Sequence, residues 1–260
     1  MTTSGIDPGV AHPARIYDYW LGGKDNFAAD RAAAEEVLKS VPVLVEGARA
    51  NRAFLGRAVR YLVSEAGIDQ FLDIGSGLPA AANTHEVARD SADGTRVVYV
   101  DNDATVATHA RALLVAEEST AFVAADLRDV PVIQAEAGRV LDLSQPVAVM
   151  LLLVLHLIPD SHDPHALVTS LIDPLPSGSA LVISHPASDI LPQQVAQGRR
   201  DFNRMSAVPM TGRSREQVEQ FFDGMTLVVP GLVQPQQWRL PHAPDSKVAI
   251  PAWCAVGIKP

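Results

Sequence analysis

Gln70-Phe71-Leu72-Asp73-Ile74-Gly75-Ser76-Gly77 is the stretch on which the fold turns. Phe71, Leu72 and Ile74 read as a short buried strand. The two glycines after it let the backbone bend sharply and come close to a ligand. Asp73 sits near the end of that strand, two residues before the first glycine. A carboxylate is out of place in a core strand; it fits a site that receives a cation.

Gly75-Ser76-Gly77-Leu78-Pro79-Ala80 also satisfies the degenerate G-x-G-x-x-G/A pattern of dinucleotide sites. Two features count against that reading. Asp73 would repel a pyrophosphate. The next helix is expected late, at Asn83-Thr84-His85-Glu86, an Asn-x-x-Glu capping box, so the turn does not run straight onto a helix N-terminus, where pyrophosphate binds. S-adenosylmethionine brings an ammonium and a sulfonium instead, and both suit Asp73.

Downstream, strands and helices alternate. Strands are expected at Arg96–Val100, Ala121–Ala125, Val147–Leu155 and Ala180–Ser184, with Val147–Leu155 almost continuously apolar, as in a strand covered on both faces. Helices are expected after Asp101-Asn102-Asp103, with Asp103 as N-cap, after Asp163-Pro164, and after Ser214-x-x-Gln217. Thr226–Val229 and Ala252–Ile258 read as a final hairpin pair. This alternation predicts an α/β fold with a doubly wound, mostly parallel, seven-stranded sheet. Upstream, residues 1–13 read as a loose tail and 14–67 as a helical cap: Ala14–Leu21, a second helix capped by Asn26, and a long amphipathic helix near Gly47–Glu65. Residues 68–260 form the ligand-binding core, broken at 186–212 by an inserted helix with loops.

The 260 residues carry 47% hydrophobic side chains, enough for one large domain. The net charge of −9 argues against a nucleic-acid partner, which wants a basic face. The single cysteine, Cys254, excludes an internal disulfide and suits a reducing, cytoplasmic setting. The longest apolar run, Val147 to Leu155, is nine residues, far short of the ~20 needed to span a bilayer. No signal peptide and no metal site are expected.

In a doubly wound sheet, ligands lie off the carboxyl ends of the strands, and four successive strands here end in polar residues. The first gives Asp73 with Gly75, Ser76 and Gly77. The second ends in Asp101, a carboxylate suited to accept both ribose hydroxyls, followed by Asn102. The third ends in Asp126-Leu127, suited to an adenine amino group and its ring. The fourth carries Leu153 and ends in His156.

Together these stretches resemble class I S-adenosylmethionine-dependent methyltransferases. More closely, the chain resembles a bacterial S-adenosyl methyltransferase family long catalogued as a domain of unknown function. The likeness runs from about Pro13 to the C-terminus. It is carried most specifically by Pro13-Ala14-Arg15-Ile16-Tyr17-Asp18-Tyr19 and Leu21-Gly22-Gly23-Lys24-Asp25-Asn26-Phe27, then by Asn51-Arg52-Ala53-Phe54-Leu55, the glycine loop, Val98-Tyr99-Val100-Asp101-Asn102-Asp103, Ala125-Asp126-Leu127-Arg128 and Val154-Leu155-His156. It implies S-adenosylmethionine as cofactor and cofactor roles for Asp73, Gly75, Gly77, Asp101 and Asp126.

The polar density of the N-terminal stretch points the same way: Arg15 or Lys24 is placed to meet the methionine carboxylate, Tyr19 to cover the sulfonium, and Asn26 joins the set. Because the sulfonium makes the methyl group electrophilic, holding a nucleophile in line supplies much of the catalysis. A proton-bearing nucleophile needs a base, and His156 and His185, at the ends of the fourth and fifth strands, are the candidates. Methyl transfer to a small metabolite is the expected function. The competing readings are a non-enzymatic S-adenosylmethionine-binding regulator and an NAD-dependent oxidoreductase. The oligomeric state is not legible.

Overall fold

The strand at Gln70–Ile74, β1, is buried along its whole length. Around it lie β2 (Arg96–Asp101), β3 (Thr120–Ala124), β4 (Ala148–Leu152), β5 (Ala180–Pro186), β6 (Thr226–Leu227) and β7 (Ala252–Ile258). In the computed structural model, which describes residues 7–114, 119–240 and 248–260, they form one sheet in the order β3-β2-β1-β4-β5-β7-β6. The first five strands are parallel, and β7 runs antiparallel between β5 and β6. β1 pairs with β2 on one side and β4 on the other. The strand order therefore reverses there, opening a crevice at the carboxyl ends of β1 and β4.

Alternate residues of β1 feed opposite faces. Leu72 and Ile74 join one core layer with Val98, Val149 and Ile183, while Phe71 joins the other with Phe54, Val97 and Trp238. The first layer packs against α6 (Val130–Ala137) and α7 (Pro164–Ile172). The second packs against α3 (Leu44–Ser64) and α4 (Thr84–Ser91), the helix begun by the predicted Asn83–Glu86 capping box.

A third apolar cluster, built on Ile16, Ala33, Ala34, Val37 and Phe202, belongs to the cap. It joins α1 (Pro13–Trp20) and α2 (Ala28–Ser40) to α8 (Pro192–Met205), the helix of the insertion. Gly198 makes this possible: a Cβ there would lie 2.8 Å from Val41 Cγ2. α5 (Ala104–Leu114) and α9 (Arg215–Glu219) complete the helices.

Several boundaries differ from the sequence reading. β4 ends at Leu152, not Leu155: Leu153 adopts φ +50°, and the chain enters a 3-10 turn at Leu155–Leu157. His156 thus lies in that turn. β5 runs on to Pro186, so His185 is inside a strand. β6 and β7 pair antiparallel as expected, but residues 228–251 separate them, so they form no tight hairpin. Asn26 does not cap α2; the amide of Phe27 at the N-cap donates to Asp30 Oδ2 at 2.8 Å. Of the expected loose tail, residues 1–6 lie outside the described set. Residues beyond them are tied down: Ala11 is buried and bridges to Ser206, and the Ala207 amide donates to the Ala11 carbonyl at 3.0 Å. No described helix is long and apolar enough to cross a membrane.

Candidate functional site

A cavity of about 480 Å³ opens at the carboxyl ends of β1, β2 and β4. One half is lined by the strand-end loops: Asp73, Gly75, Ser76, Gly77, Asp101, Asn102, Asp126, Leu127 and Leu153 all reach it. The other half is roofed by the cap and α8.

The glycine loop takes its shape from backbone requirements. Gly75 and Gly77 hold φ +73° and +66°, in the left-handed region that favours glycine. A Cβ on Gly75 would also lie 2.4 Å from Val154 Cγ2. The amides of Gly75 and Ser76 donate to the Val100 carbonyl, at 2.8 and 3.2 Å. The Gly77 amide donates to Asp101 Oδ2 at 2.9 Å. Asp101 Oδ1 accepts from the Asp103 amide at 2.9 Å. Burial pushes the Asp101 carboxyl above the usual range, against these two amides.

Asp73 is buried and accepts from Thr84 Oγ1 at 2.6 Å. Burial raises its pKa to about 6, the Thr84 bond and nearby Arg52 opposing that rise. Asp126 is the opposite case. Arg128 grips both its oxygens, at 2.7 Å each, and Asn102 Nδ2 adds a bond at 3.0 Å, so its pKa falls to about 2. Asp103 caps α5 as expected, accepting from the Thr105 and Val106 amides. It also lies 2.9 Å from His12 Nδ1, a tie to the cap. Burial works to raise the Asp103 carboxyl, but the His12 ring and the amides outweigh it and hold it below the usual range.

The four N-terminal candidates do not line the cavity. Arg15 is buried, with Nε on Asp30 Oδ2 at 2.8 Å and Nη2 on the Val10 carbonyl at 2.6 Å. Tyr19 donates to Glu35 at 3.0 Å, Lys24 is exposed, and Asn26 donates to Asp18 at 2.8 Å and to the Gly23 carbonyl at 3.0 Å. The polar density of this stretch serves the cap's own fold. Asp30, fully buried, collects the amides of His12 and Phe27 and the Arg15 guanidinium. A Cβ on Gly23 would fall 1.9 Å from Asp18 Oδ1. The cap residues that bring polar or aromatic side chains to the cavity are His12, Tyr17, Trp20, Asn51 and Arg52. Asn51 Nδ2 donates to Tyr17 Oη at 3.0 Å, which donates to the Ala48 carbonyl at 3.2 Å. Arg52 Nη2 clamps the carbonyls of Ala81 and Ala82, at 2.9 and 2.8 Å. Asn51-Arg52 was visible as a motif, but its helical periodicity alone gave it no role.

The two histidines part company. His156 is 8% exposed and lines the cavity; its Nδ1 is buried without a partner. Burial, helped by Arg213, lowers its pKa to about 3, so the ring is neutral. His185 does not line the cavity. It is fully buried, with Nδ1 on the Pro186 carbonyl at 2.9 Å and Nε2 accepting from Arg213 Nη1 at 2.8 Å. Burial also holds it neutral. Both its nitrogens are occupied, which removes it as a base. Arg213, absent from the sequence candidates, also donates to the carbonyls of Leu155 and Ile158 and to Asp160, fastening the turn that carries His156.

A seven-stranded sheet with β7 reversed, a glycine loop after β1 and a carboxylate at the end of β2 define a Rossmann-like methyltransferase. The chain belongs to the S-adenosyl methyltransferase family, whose pattern it matches over residues 1–260. It is similar to a DUF574 family protein from Streptomyces avermitilis MA-4680, at 41% identity and TM-score 0.93, over 98% of this chain and 100% of that one. A candidate methyltransferase from Thermobifida fusca YX matches at 40% identity and TM-score 0.91, over 98% and 97% of the two chains. The N-methyltransferase NodS from Bradyrhizobium japonicum WM9, in complex with S-adenosylhomocysteine, shares the fold at 15% identity and TM-score 0.53, over 88% and 97%. Comparison with curated proteins gives no match. The protein is an S-adenosylmethionine-dependent methyltransferase, and S-adenosylmethionine is its cofactor.

Proposed function

We propose that this enzyme methylates a small-molecule acceptor held in the cap half of the cavity, with residues 14–67 and the 186–212 insertion as its cover. The observation that carries this reading is the continuity of the cavity from Asp73 and Asp101 to the apolar wall of α2 and α8. Its volume is in the range of small-ligand sites, and the donor set suits the cofactor. When bound, S-adenosylmethionine supplies a methyl group made electrophilic by the sulfonium.

The chain's own residues do the rest. The left-handed glycines keep side chains out of the cofactor's path. Asp101 exchanges its amide partners for ribose hydroxyls. Asp126 and Leu127 border the adenine. Asp73 faces the ammonium, and Arg52 rather than Arg15 or Lys24 meets the methionine carboxylate. At His156 the buried Nδ1 leaves Nε2 to face the acceptor, where the neutral imidazole accepts a hydrogen bond from the nucleophile's O–H and holds it in line. An imidazole whose pKa is about 3 holds a proton poorly, so His156 orients the nucleophile, and the proton the nucleophile loses as the methyl group is transferred passes on to solvent.

Calorimetric titration with S-adenosylhomocysteine and with NAD tests the site. Tight S-adenosylhomocysteine binding, followed by its release from S-adenosylmethionine when an acceptor is supplied, is the expected result. Binding of NAD in its place overturns the reading, and binding without turnover over a broad acceptor panel favours a regulator.

A further inference from the structure

The cavity's two halves differ in charge as well as shape. Asp73, Asp101 and Asp126 line the strand-end half, and among the described residues no carboxylate lines the cap half. That half is apolar over Val37, Val41, Leu44, Phe202 and Met210. Into it α8 brings one more lining residue, Arg199, which stands exposed at the edge of the chamber.

The other two arginines of the lining are assigned elsewhere: Arg52 holds the Ala81 and Ala82 carbonyls beside the cofactor half, where it faces the methionine carboxylate, and Arg128 pairs with Asp126. Arg199 has neither a hydrogen bond nor an ion pair among the described residues. Its neighbours on the same helix are partnered: Arg200 donates to Gln197, and Arg204 pairs with Asp201 at 3.1 Å. The residue before Arg199 is Gly198, whose Cβ would collide with Val41, so glycine is what lets α8 approach α2 this closely. The same approach carries Arg199 to the chamber wall.

We infer that the acceptor is a molecule with an apolar body and a carboxylate-like anionic group, the body lying against α2 and Phe202 and the anion meeting Arg199. This rests on the reading of the cap half as the acceptor chamber. A protonated amine would find no carboxylate there to repay its desolvation, whereas an anion finds a guanidinium free to form a charge-assisted pair.

Three probes with one apolar body test it: 3-phenylpropionate, 3-phenylpropanol and 3-phenylpropylamine, each titrated calorimetrically into the full chain saturated with S-adenosylhomocysteine. The carboxylate is expected to bind roughly tenfold more tightly than the alcohol, as a charge-assisted pair allows, with the ammonium weakest. Arg199→Ala is expected to bring the carboxylate down to the alcohol's affinity and leave the alcohol unchanged, Arg199→Lys to keep part of the preference, and high salt to shrink it. Equal binding of carboxylate and alcohol, a preference that survives Arg199→Ala, or no binding of any probe overturns the inference. The S-adenosylhomocysteine titration separates the two readings: a protein that binds it but shows no charge preference loses only this inference. One that does not bind it loses the cofactor site as well.

Discussion

At the strand ends, polar groups are held by partners close in the fold's loops: Asp101 by the Gly77 and Asp103 amides, Asp126 by Arg128 and Asn102, and Asp73 by Thr84 at the start of α4. In the cap, several polar side chains are instead tied from one helix to another: Arg15 to Asp30, Asn51 to Tyr17, Ser40 to Asp201. The first half leaves carboxylates facing the cavity; the second buries Arg15, Asp18 and Asp30 within itself and offers the cavity a largely apolar surface. A dense polar motif is therefore no guide to a binding site until it is known where its hydrogen bonds go.

The sharpest way to break this division is at Arg213, which fastens the turn after β4 to β5. Arg213→Ala leaves the buried His185 Nε2 and the Ile158 carbonyl without a donor, while the Leu155 carbonyl keeps the Ile158 amide. It is expected to cost about 3–5 kcal/mol, from about 1–3 kcal/mol for each orphaned buried acceptor plus the lost packing, read as a lowered denaturant midpoint. Gly75→Ala comes next. Left-handed strain and collision with Val154 are expected to cost about 2–4 kcal/mol and to abolish measurable S-adenosylhomocysteine binding, seen by thermal melt and calorimetry.

Asp101→Ala removes a carboxylate that lines the cavity, and a charged acceptor is worth about 1.5–3 kcal/mol, so S-adenosylhomocysteine affinity is expected to fall roughly 10- to 150-fold. Because Asp101 also holds the Gly77 amide, the variant loses about 1 kcal/mol of stability too. Asp103→Ala is not a clean control for this effect, since Asp103 also ties down His12.

The Asp73 prediction concerns pH. Its folded pKa of about 6 lies above the unfolded value of 3.8. Its contribution to stability is present below the unfolded value and is lost as pH rises through 6. Cation binding runs the other way, since only the ionised carboxylate receives an ammonium. S-adenosylmethionine affinity is expected to fall roughly tenfold between pH 7 and pH 5, and Asp73→Asn flattens that dependence. The smallest effect sharpens the comparison by being absent. Lys24→Ala is expected to leave cofactor affinity within about twofold, because Lys24 is exposed and off the cavity. A larger loss would return the N-terminal motif to the cofactor.

Much of the strand-end half was legible because its signals are local. β1 matches its predicted bounds, and the Asn83–Glu86 box, the Asp103 cap and the Asp163-Pro164 start all lie where the sequence puts them. Each rests on a residue and a backbone group a few positions away. His156 lies in a turn rather than at a strand end for a related reason. An apolar run does not reveal where a strand stops, and Leu153's left-handed φ, which ends β4 ahead of His156, leaves no mark in composition.

The sequence alone determined the sheet's alternating order, the glycine loop and the three strand-end carboxylates, since strand period, turn chemistry and capping act over a handful of residues. Only the tertiary structure decided which polar residues line the cavity. It spent Arg15, Tyr19 and Asn26 inside the cap, sealed His185 behind Arg213, and brought Arg52 and Arg199 to the cavity. Those outcomes depend on contacts such as Arg213 with His185 or Gly198 with Val41, between residues far apart in the chain. Burial and partner choice at that range follow from packing of whole helices, which no local pattern encodes.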